Sequence, residues 1–229
     1  MLILLGAAWI YLMRDYGPGL RTEAARVPAM VQTELAQQHA PYTPSSQISP
    51  YLQNAIVSIE DRRFYSHPGF DPLSMVRAVW VNLTNGHIDQ GGSTLEEQLV
   101  KRTLVPNDRT VRGKVRTIAL AWAIDQDFSK QRVIELYLND AYYGQGAYGA
   151  QQAARVYFGV DAANLTVPQA ALLAALPQAP SVYGARPTSP VVRTRQIIVL
   201  RDMQQLGYLT PAQERLAETT TLSFALPNP

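Results

Sequence analysis

Residues 60–71 of this chain read Glu60-Asp61-Arg62-Arg63-Phe64-Tyr65-Ser66-His67-Pro68-Gly69-Phe70-Asp71. The apolar run Ala55-Ile56-Val57-Ser58-Ile59 comes directly before them, and Ser49-Pro50 is an N-cap followed by proline. Together these signals predict a buried helix that ends at Glu60. A carboxyl group at such a helix end can serve as a proton acceptor. The same acidic pair is also compatible with an ordinary solvated helix end, so other motifs must decide between the two interpretations.

Helix signals recur along the chain, whereas strand signals are few. Thr166 and Thr210 each have a glutamine three residues on, which predicts two capping boxes, and Ser189-Pro190 opens a helix that Gly207 ends. The only β-rich stretch is residues 219–226. One predicted helix carries apolar residues at i, i+3 and i+4 spacing, a pattern typical of a core-facing stripe: Val115, Ile118, Ala119, Trp122 and Ala123. These patterns predict a mostly helical protein.

Basic residues are concentrated between residues 101 and 116. This window carries a charge of +5 in a chain whose net charge is only +2. It contains six basic residues against one acidic residue, Asp108: Lys101, Arg102, Arg109, Arg112, Lys114 and Arg116. A local patch of this kind suits an anionic small ligand or a lipid headgroup. There is no broad basic face and no nucleic-acid-binding motif, so we do not expect nucleic acid as a partner. Cysteine is absent, which excludes disulfides and thiolate metal sites.

Four motifs, in order, resemble those of the bacterial peptidoglycan glycosyltransferases. These enzymes occur as the N-terminal module of class A penicillin-binding proteins and as monofunctional transglycosylases. The first motif, Glu-Asp-x-x-Phe-x-x-His-x-Gly, matches residues 60–69 at every position. The second, Gly-Gly-Ser-Thr-x-x-Gln-Gln, matches residues 91–98 with Glu97 in place of the first glutamine, and the fourth and fifth match residues 135–149 and 171–180. The resemblance implies an all-α, lysozyme-like domain of two helical lobes with a central cleft.

The third motif departs from the family pattern Arg-Lys-x-x-Glu. Here Gly113 replaces the arginine, Lys114 is retained, and Thr117 replaces the glutamate. Two interpretations stay open: an altered but active polymerase, which we favour, and a catalytically impaired pseudoenzyme that binds lipid II or glycan. A lytic, lysozyme-like enzyme that cleaves glycan is less favoured, because it would not need the basic window. If loss of the acid has slowed the enzyme, Thr117→Glu should raise turnover, and the sequence favours that outcome. Glu96, Glu97 and Asp125 are possible substitutes for the missing acid, and if one of them has replaced it, Thr117→Glu should bring no gain.

The resemblance implies an enzyme that polymerises lipid II into glycan strands and releases undecaprenyl diphosphate. Glu60 is then the catalytic base. Asp61 would orient Glu60, and His67 is better explained as a structural residue than as a proton carrier. The residues expected to bind substrate are Asp61, His67, Ser93, Thr94, Gln98, Lys101, Lys114, Arg116, Asn139 and Gln178. We predict no protein-held metal site, although a divalent cation (Mg²⁺ or Mn²⁺) could act as a cofactor at the diphosphate.

The N-terminal segment predicts attachment to a membrane. Residues 1–13 are apolar and uncharged, but a spanning helix needs about twenty residues. The resemblance implies that they are part of a membrane anchor, and a buried amphiphilic helix is the alternative. Residues 14–46 are expected to be a linker or membrane-proximal segment, and residues 47–229 the glycosyltransferase domain. The expected location is the bacterial cytoplasmic membrane, with the domain on the extracytoplasmic face. Expected partners are lipid II, the growing glycan chain, the membrane and other cell-wall synthesis proteins.

Overall fold

The computed structural model describes residues 17–74, 92–106, 108 and 110–225. Within these ranges the regular secondary structure is helical, and no strand is formed. Pairing of the β type is limited there to a single bridge between Tyr142 and Tyr148. The predicted all-α class is confirmed.

The helices are short and follow one another closely along the chain. Residues 17–24 are helical, and 3₁₀ turns occupy Ser45–Gln47, Phe64–Ser66, Ala162–Asn164 and Leu176–Gln178. The remaining helices are α1 (Val27–Gln37), α2 (Pro50–Glu60), α3 (Leu95–Thr103), α4 (Val111–Asp127), α5 (Lys130–Asp140), α6 (Gly149–Phe158), α7 (Val167–Ala175), α8 (Pro180–Tyr183), α9 (Pro190–Gln205) and α10 (Pro211–Thr219).

The chain divides into two compact units, in agreement with the two predicted lobes. One unit contains the described residues up to Val31 together with Arg63–Val133, and in it α3 packs against α4. The other contains Gln32–Arg62 and the described residues from Ile134 onward. In this second unit α7 packs against both α2 and α9, which also contact each other. Helix α7 is apolar around most of its circumference and buried along most of its length, as expected for the central helix of a core.

The local signals for helix starts are confirmed at most of the predicted positions. Both capping boxes form, at Thr166 and at Thr210. Helix α9 begins after Ser189, whose hydroxyl accepts a hydrogen bond from the Val192 N–H. Ser49 occupies the N-cap position of α2 as predicted, but it does not cap the helix with its side chain. Its hydroxyl donates instead to the Leu165 carbonyl oxygen at 3.0 Å, because the start of α2 is buried against that segment.

Two patterns were interpreted wrongly. Val115, assigned to the core-facing stripe of α4, is 58% exposed. The buried residues of this helix include the small or polar Gly113 and Thr117, which a search for apolar residues does not register. The β-rich stretch forms no strand in its described part, residues 219–225. There the Phe224 ring packs 5.5 Å from the Phe158 ring, so these side chains cover α6 instead of pairing in a sheet.

The predicted membrane anchor, residues 1–13, lies outside the described residues. Among the described helices, none is long and apolar enough to cross a bilayer. The predicted linker 14–46 contains helix α1, whose side chains Val27, Val31 and Leu35 are buried. A helix begins at residue 72 and is described as far as residue 74. The Asp71 carboxylate accepts the N–H groups of Leu73 and Ser74, as expected of a helix cap.

Candidate active site

Glu60 is the last residue of α2, as the sequence predicts. The preceding turns bury Ala55, Ile56 and Val57, and the Glu60 side chain is 15% exposed. Asp61 follows as the C-cap residue, with φ −152° and its N–H bonded to the Val57 carbonyl oxygen at 3.1 Å. It is also buried. The end of α2 therefore holds two adjacent carboxyl groups with little access to water.

Arg195 lies beside Glu60 within the same unit. Its Nη2 is 3.9 Å from Glu60 Oε1, and its Nε donates to the Ala175 carbonyl oxygen at 3.2 Å. This second contact fixes the guanidinium on α9 next to the end of α2. Arg195 thus places a positive charge within ion-pair distance of the Glu60 carboxyl group. Sequence analysis missed Arg195, because neither a motif nor a local spacing connects it to Glu60.

The loop after α2 is packed around Phe64. The Phe64 side chain is fully buried, and its ring lies edge-on to the His67 ring at 6.1 Å. Gly69 has φ +82°, and a Cβ added there would collide with the carbonyl oxygen of Ala121. Only glycine fits this position without displacing backbone. Phe64 is thus a core residue of this loop, and the burial of His67 agrees with the predicted structural role of that residue.

Lys130, the first residue of α5, joins this loop to buried acids. Its Nζ donates to the His67 carbonyl oxygen at 2.9 Å and to Glu96 Oε1 at 2.8 Å. It also lies 2.7 Å from Asp125 Oδ1 and 4.6 Å above the centre of the Phe64 ring. Glu96 has no exposed surface, so this ion pair is largely shielded from water. Sequence analysis did not single out Lys130, whose partners come from three separate segments.

Thr94 connects the second motif to the same loop. It is the N-cap of α3, and its Oγ1 accepts a hydrogen bond from the Glu97 N–H at 3.2 Å. The hydroxyl also donates to the Gly69 carbonyl oxygen at 2.7 Å. A helix therefore starts directly after the Gly-Gly-Ser-Thr sequence, and the buried hydroxyl of Thr94 is occupied in structural bonds. Its contact with substrate stays a prediction.

Two lysines from α3 and α4 come together with one buried acid. Lys114 Nζ donates to Glu97 Oε2, and Lys101 Nζ donates to Ser93 Oγ at 3.2 Å. We refer to Ser93, Glu97, Lys101 and Lys114 as the lysine cluster. Loss of solvation around its ammonium lowers the pKa of Lys101, although the side chain as a whole is exposed. The charge of Lys114 lowers this pKa further, whereas Glu97 opposes both effects. Gln98 lies on the same helix and is half-buried.

The two altered positions of the third motif are both buried. Thr117 Oγ1 donates to the Gly113 carbonyl oxygen at 2.8 Å, a bond within its own helix. A Cβ added at Gly113 would collide with the carboxyl group of Asp108. Asp108 accepts hydrogen bonds from the N–H and the hydroxyl of Thr110, which lower its pKa. A carboxylate thus lies over Gly113, where the family pattern has an arginine.

Arg116 and Gln178 are also predicted to bind substrate, and neither belongs to the lysine cluster. Arg116 Nη2 bonds to Glu23 Oε1 at 2.6 Å, which directs its guanidinium toward the N-terminal helical residues 17–24. Gln178 is exposed at the end of a 3₁₀ turn. Arg109, a member of the basic window, lies outside the described residues.

Glu135 and Asn139 share one face of α5, as their i, i+4 spacing predicts. The Asn139 amide bonds to both the N–H and the carbonyl oxygen of Thr43, each at 2.8 Å. The Glu135 carboxylate accepts the Tyr42 hydroxyl at 2.6 Å and the Ser45 N–H at 2.7 Å. The pair anchors the segment that leads into α2. With both ends of its amide engaged, Asn139 has a structural role here, and its predicted contact with substrate stays a prediction.

The sequence profile of the Transglycosylase family matches residues 28–204. The chain belongs to this family. Penicillin-binding protein 1A of Aquifex aeolicus is 37% identical over 217 residues, which are 95% of this chain and 30% of the relative. Penicillin-binding protein 1A of Escherichia coli is 37% identical over 234 residues, which are 96% of this chain and 27% of that relative. A crystal structure of penicillin-binding protein 1A from Haemophilus influenzae aligns with 44% of this chain and 15% of its own, at a TM-score of 0.40 and 31% identity.

This transglycosylase chain spans less than a third of the length of the two relatives compared by sequence. Its predicted resemblance to the glycosyltransferase module of class A penicillin-binding proteins is confirmed, and with it the class of enzyme. The family match begins at residue 28, inside the segment predicted as a linker. The roles of Glu60 and of the predicted substrate-binding residues in this transglycosylase stay predictions.

Proposed function

We propose that this transglycosylase polymerises lipid II into glycan strands and releases undecaprenyl diphosphate. The observation that carries the proposal is the end of α2, where the largely buried Glu60 carboxyl lies beside a fixed arginine, Arg195. The family match over residues 28–204 supplies the reaction class. We further propose that the enzyme works at the outer face of the bacterial cytoplasmic membrane, together with other cell-wall synthesis proteins, because its lipid-linked substrate is held there.

Glu60 acts as the general base in this proposal. The 4-hydroxyl of an incoming lipid II attacks the anomeric carbon of the growing chain, and Glu60 takes the hydroxyl proton as the new glycosidic bond forms. The bond between the anomeric carbon and the diphosphate breaks in the same step, and the leaving group carries the electron pair away. A positioned base contributes typically about 10²–10⁴-fold in rate. Asp61, buried next to Glu60, helps to fix the end of α2.

The lysine cluster stabilises the diphosphate leaving group. Lys101 and Lys114 each offer a charged donor, and such donors form stronger hydrogen bonds to phosphate than neutral groups do. Charge that develops on the leaving oxygen is stabilised best by donors already in place. Gln98 and Ser93 are proposed as neutral donors to the same leaving group. His67, Thr94, Asn139 and Gln178 remain proposed substrate contacts because of their motif positions, and Arg116 because it lies in the basic window.

A divalent cation finds little support within the lysine cluster. Mg²⁺ takes six oxygen ligands, of which a protein typically supplies one or two carboxylates. The cluster contains one carboxylate, Glu97, and Lys114 already occupies one of its oxygens. The diphosphate and water would have to supply the remaining ligands of Mg²⁺ or Mn²⁺. A divalent cation at the diphosphate stays a prediction.

Polymerisation assays with Glu60→Gln test the proposal. The substitution keeps the shape of the side chain and removes the base, so glycan formation from lipid II should fall at least about a hundredfold. Asp161→Asn is the matched control, because Asp161 is 56% exposed and should leave the rate unchanged. Turnover like that of the unmodified protein in Glu60→Gln would rule out the base.

Two further outcomes would support the alternatives that the third motif leaves open. If the unmodified protein binds lipid II but forms no polymer, the chain is a pseudoenzyme, the alternative raised by Thr117 in place of the family glutamate. If it shortens preformed glycan, the chain is a lytic enzyme. Gel separation of the products distinguishes both from polymerisation.

A further inference from the structure

Glu97 is an acidic residue in a fully buried position, where a charged side chain is unusual. Its side chain has no exposed surface, and Lys114 Nζ binds one of its two carboxylate oxygens. The other oxygen, Oε1, is buried without a hydrogen-bond partner among the described residues. A buried carboxylate is costly unless a cation compensates it. The acid at position 97 therefore depends on Lys114, and it also keeps the Lys114 ammonium turned toward α3.

Thr117 lies three residues after Lys114, and its uncharged side chain cannot form an ion pair with this lysine. It is buried, and its hydroxyl is used within α4. The charged members of the lysine cluster are thus Glu97, Lys101 and Lys114, which add to +1. The motif patterns place a glutamine at position 97, an arginine at position 113 and a glutamate at position 117, and together with the two lysines these add to +2. Relative to those patterns, one acid has moved from α4 to α3, and the arginine beside Lys114 has been replaced by Gly113.

We propose that Glu97 replaces the acid missing at position 117, as the residue that positions Lys114 and limits the charge of the lysine cluster. The inference rests on the proposed function, since the ligand is the diphosphate of lipid II. It also changes the expectation for Thr117→Glu. Glu97 is already paired with Lys114, so Thr117→Glu would place a second carboxylate near the same lysine. Turnover should therefore not rise.

The charge balance governs how tightly the cluster holds a diphosphate. A carboxylate close to bound phosphate weakens binding, and two unit charges a few ångströms apart in a partly shielded site change an affinity by about tenfold. Glu97 therefore keeps binding loose enough for the leaving group to depart. Its removal should tighten binding of the diphosphate and slow its release.

Binding of inorganic pyrophosphate, measured by calorimetry at one fixed salt concentration, tests the proposal. Glu97→Gln raises the charge of the cluster to +2 and should tighten binding about tenfold. Thr117→Glu lowers the charge to zero and should weaken binding about tenfold. The double variant Glu97→Gln/Thr117→Glu restores +1 and should bind about as the unmodified protein does. Unchanged or weaker binding in Glu97→Gln, or a double variant that binds as tightly as Glu97→Gln, would overturn the proposal.

A second comparison avoids the buried position 117, where a larger side chain can prevent folding. Glu97→Asp keeps the charge and changes the shape, whereas Glu97→Gln keeps the shape and removes the charge. Only Glu97→Gln should tighten pyrophosphate binding. Equal effects of the two substitutions would show that Glu97 acts through packing and would also overturn the proposal.

Polymerisation by the same variants separates this proposal from the function on which it rests. If lipid II is polymerised, Glu97→Gln should lower both KM and kcat, because tighter binding accompanies slower release. Polymer formation with pyrophosphate binding that is the same in all variants would refute the role of Glu97 alone. The predicted series of pyrophosphate affinities without any polymer would refute the proposed polymerase and leave the role of Glu97 standing.

Discussion

Replacing Lys130 with methionine keeps the length of the side chain and removes its charge. In the folded protein Lys130 Nζ contacts Glu96 Oε1 at 2.8 Å, Asp125 Oδ1 at 2.7 Å and the His67 carbonyl oxygen at 2.9 Å. Glu96 has no exposed surface, whereas the Asp125 side chain is 15% exposed and can regain some water. The substitution therefore removes one cation from beside a fully buried carboxylate.

Removing one partner of a buried ion pair costs about 3–5 kcal/mol. Lys130 is itself 22% exposed, so we expect the free energy of unfolding to fall by about 3 kcal/mol, the lower end of that range. For a chain of this length, each kcal/mol corresponds to about 2–4 °C, so the melting temperature should fall by about 6–12 °C.

Urea unfolding followed by circular dichroism measures the effect of Lys130→Met. Arg155→Met is a matched control, because the side chains of the Arg155–Asp161 pair are 62% and 56% exposed and its loss should cost less than about 1 kcal/mol. The double variant Glu96→Gln/Lys130→Met should recover part of the stability, since it also removes the buried charge. A loss in Lys130→Met no larger than in Arg155→Met would refute the reasoning.

Two further predictions concern backbone strain and pH. Gly69→Ala should lower the melting temperature more than Gly146→Ala does, because both positions have positive φ but only a Cβ at Gly69 collides with backbone; equal melting temperatures would contradict this. Burial lowers the pKa of Lys101 below its unfolded value, so the unfolded state binds the proton more readily in the window between the two pKa values. The contribution of Lys101 to the free energy of unfolding should therefore rise as pH increases toward 10.5. Urea unfolding at a series of pH values should show this rise in the unmodified protein and not in Lys101→Met.

Helix starts could be predicted from the sequence because the groups that form them lie within a few residues of one another. The capping boxes at Thr166 and Thr210 and the helix after Ser189 depend on side chains and N–H groups of one turn. The assignment of α4 was less accurate. Its core-facing side includes Gly113 and Thr117, and a count of apolar side chains does not recognise either as a core residue.

The candidate site could be predicted only in part. The position of Glu60 at the end of a buried helix follows from local signals, and so does the helix start at Thr94. Arg195 and Lys130 could not be predicted, because each meets its partners through helix packing between distant segments. The pairing of Glu97 with Lys114 likewise depends on how α3 packs against α4.

The most direct test of the proposed activity compares the amount of diphosphate released with the number of glycosidic bonds formed. Purified protein is incubated with labelled lipid II, and undecaprenyl diphosphate and glycan length are measured in the same samples. We predict glycan strands with one diphosphate released for each glycosidic bond formed, and formation of both products at least about a hundredfold slower in Glu60→Gln. No diphosphate release from the unmodified protein, or release that continues at an equal rate in Glu60→Gln, would contradict the account.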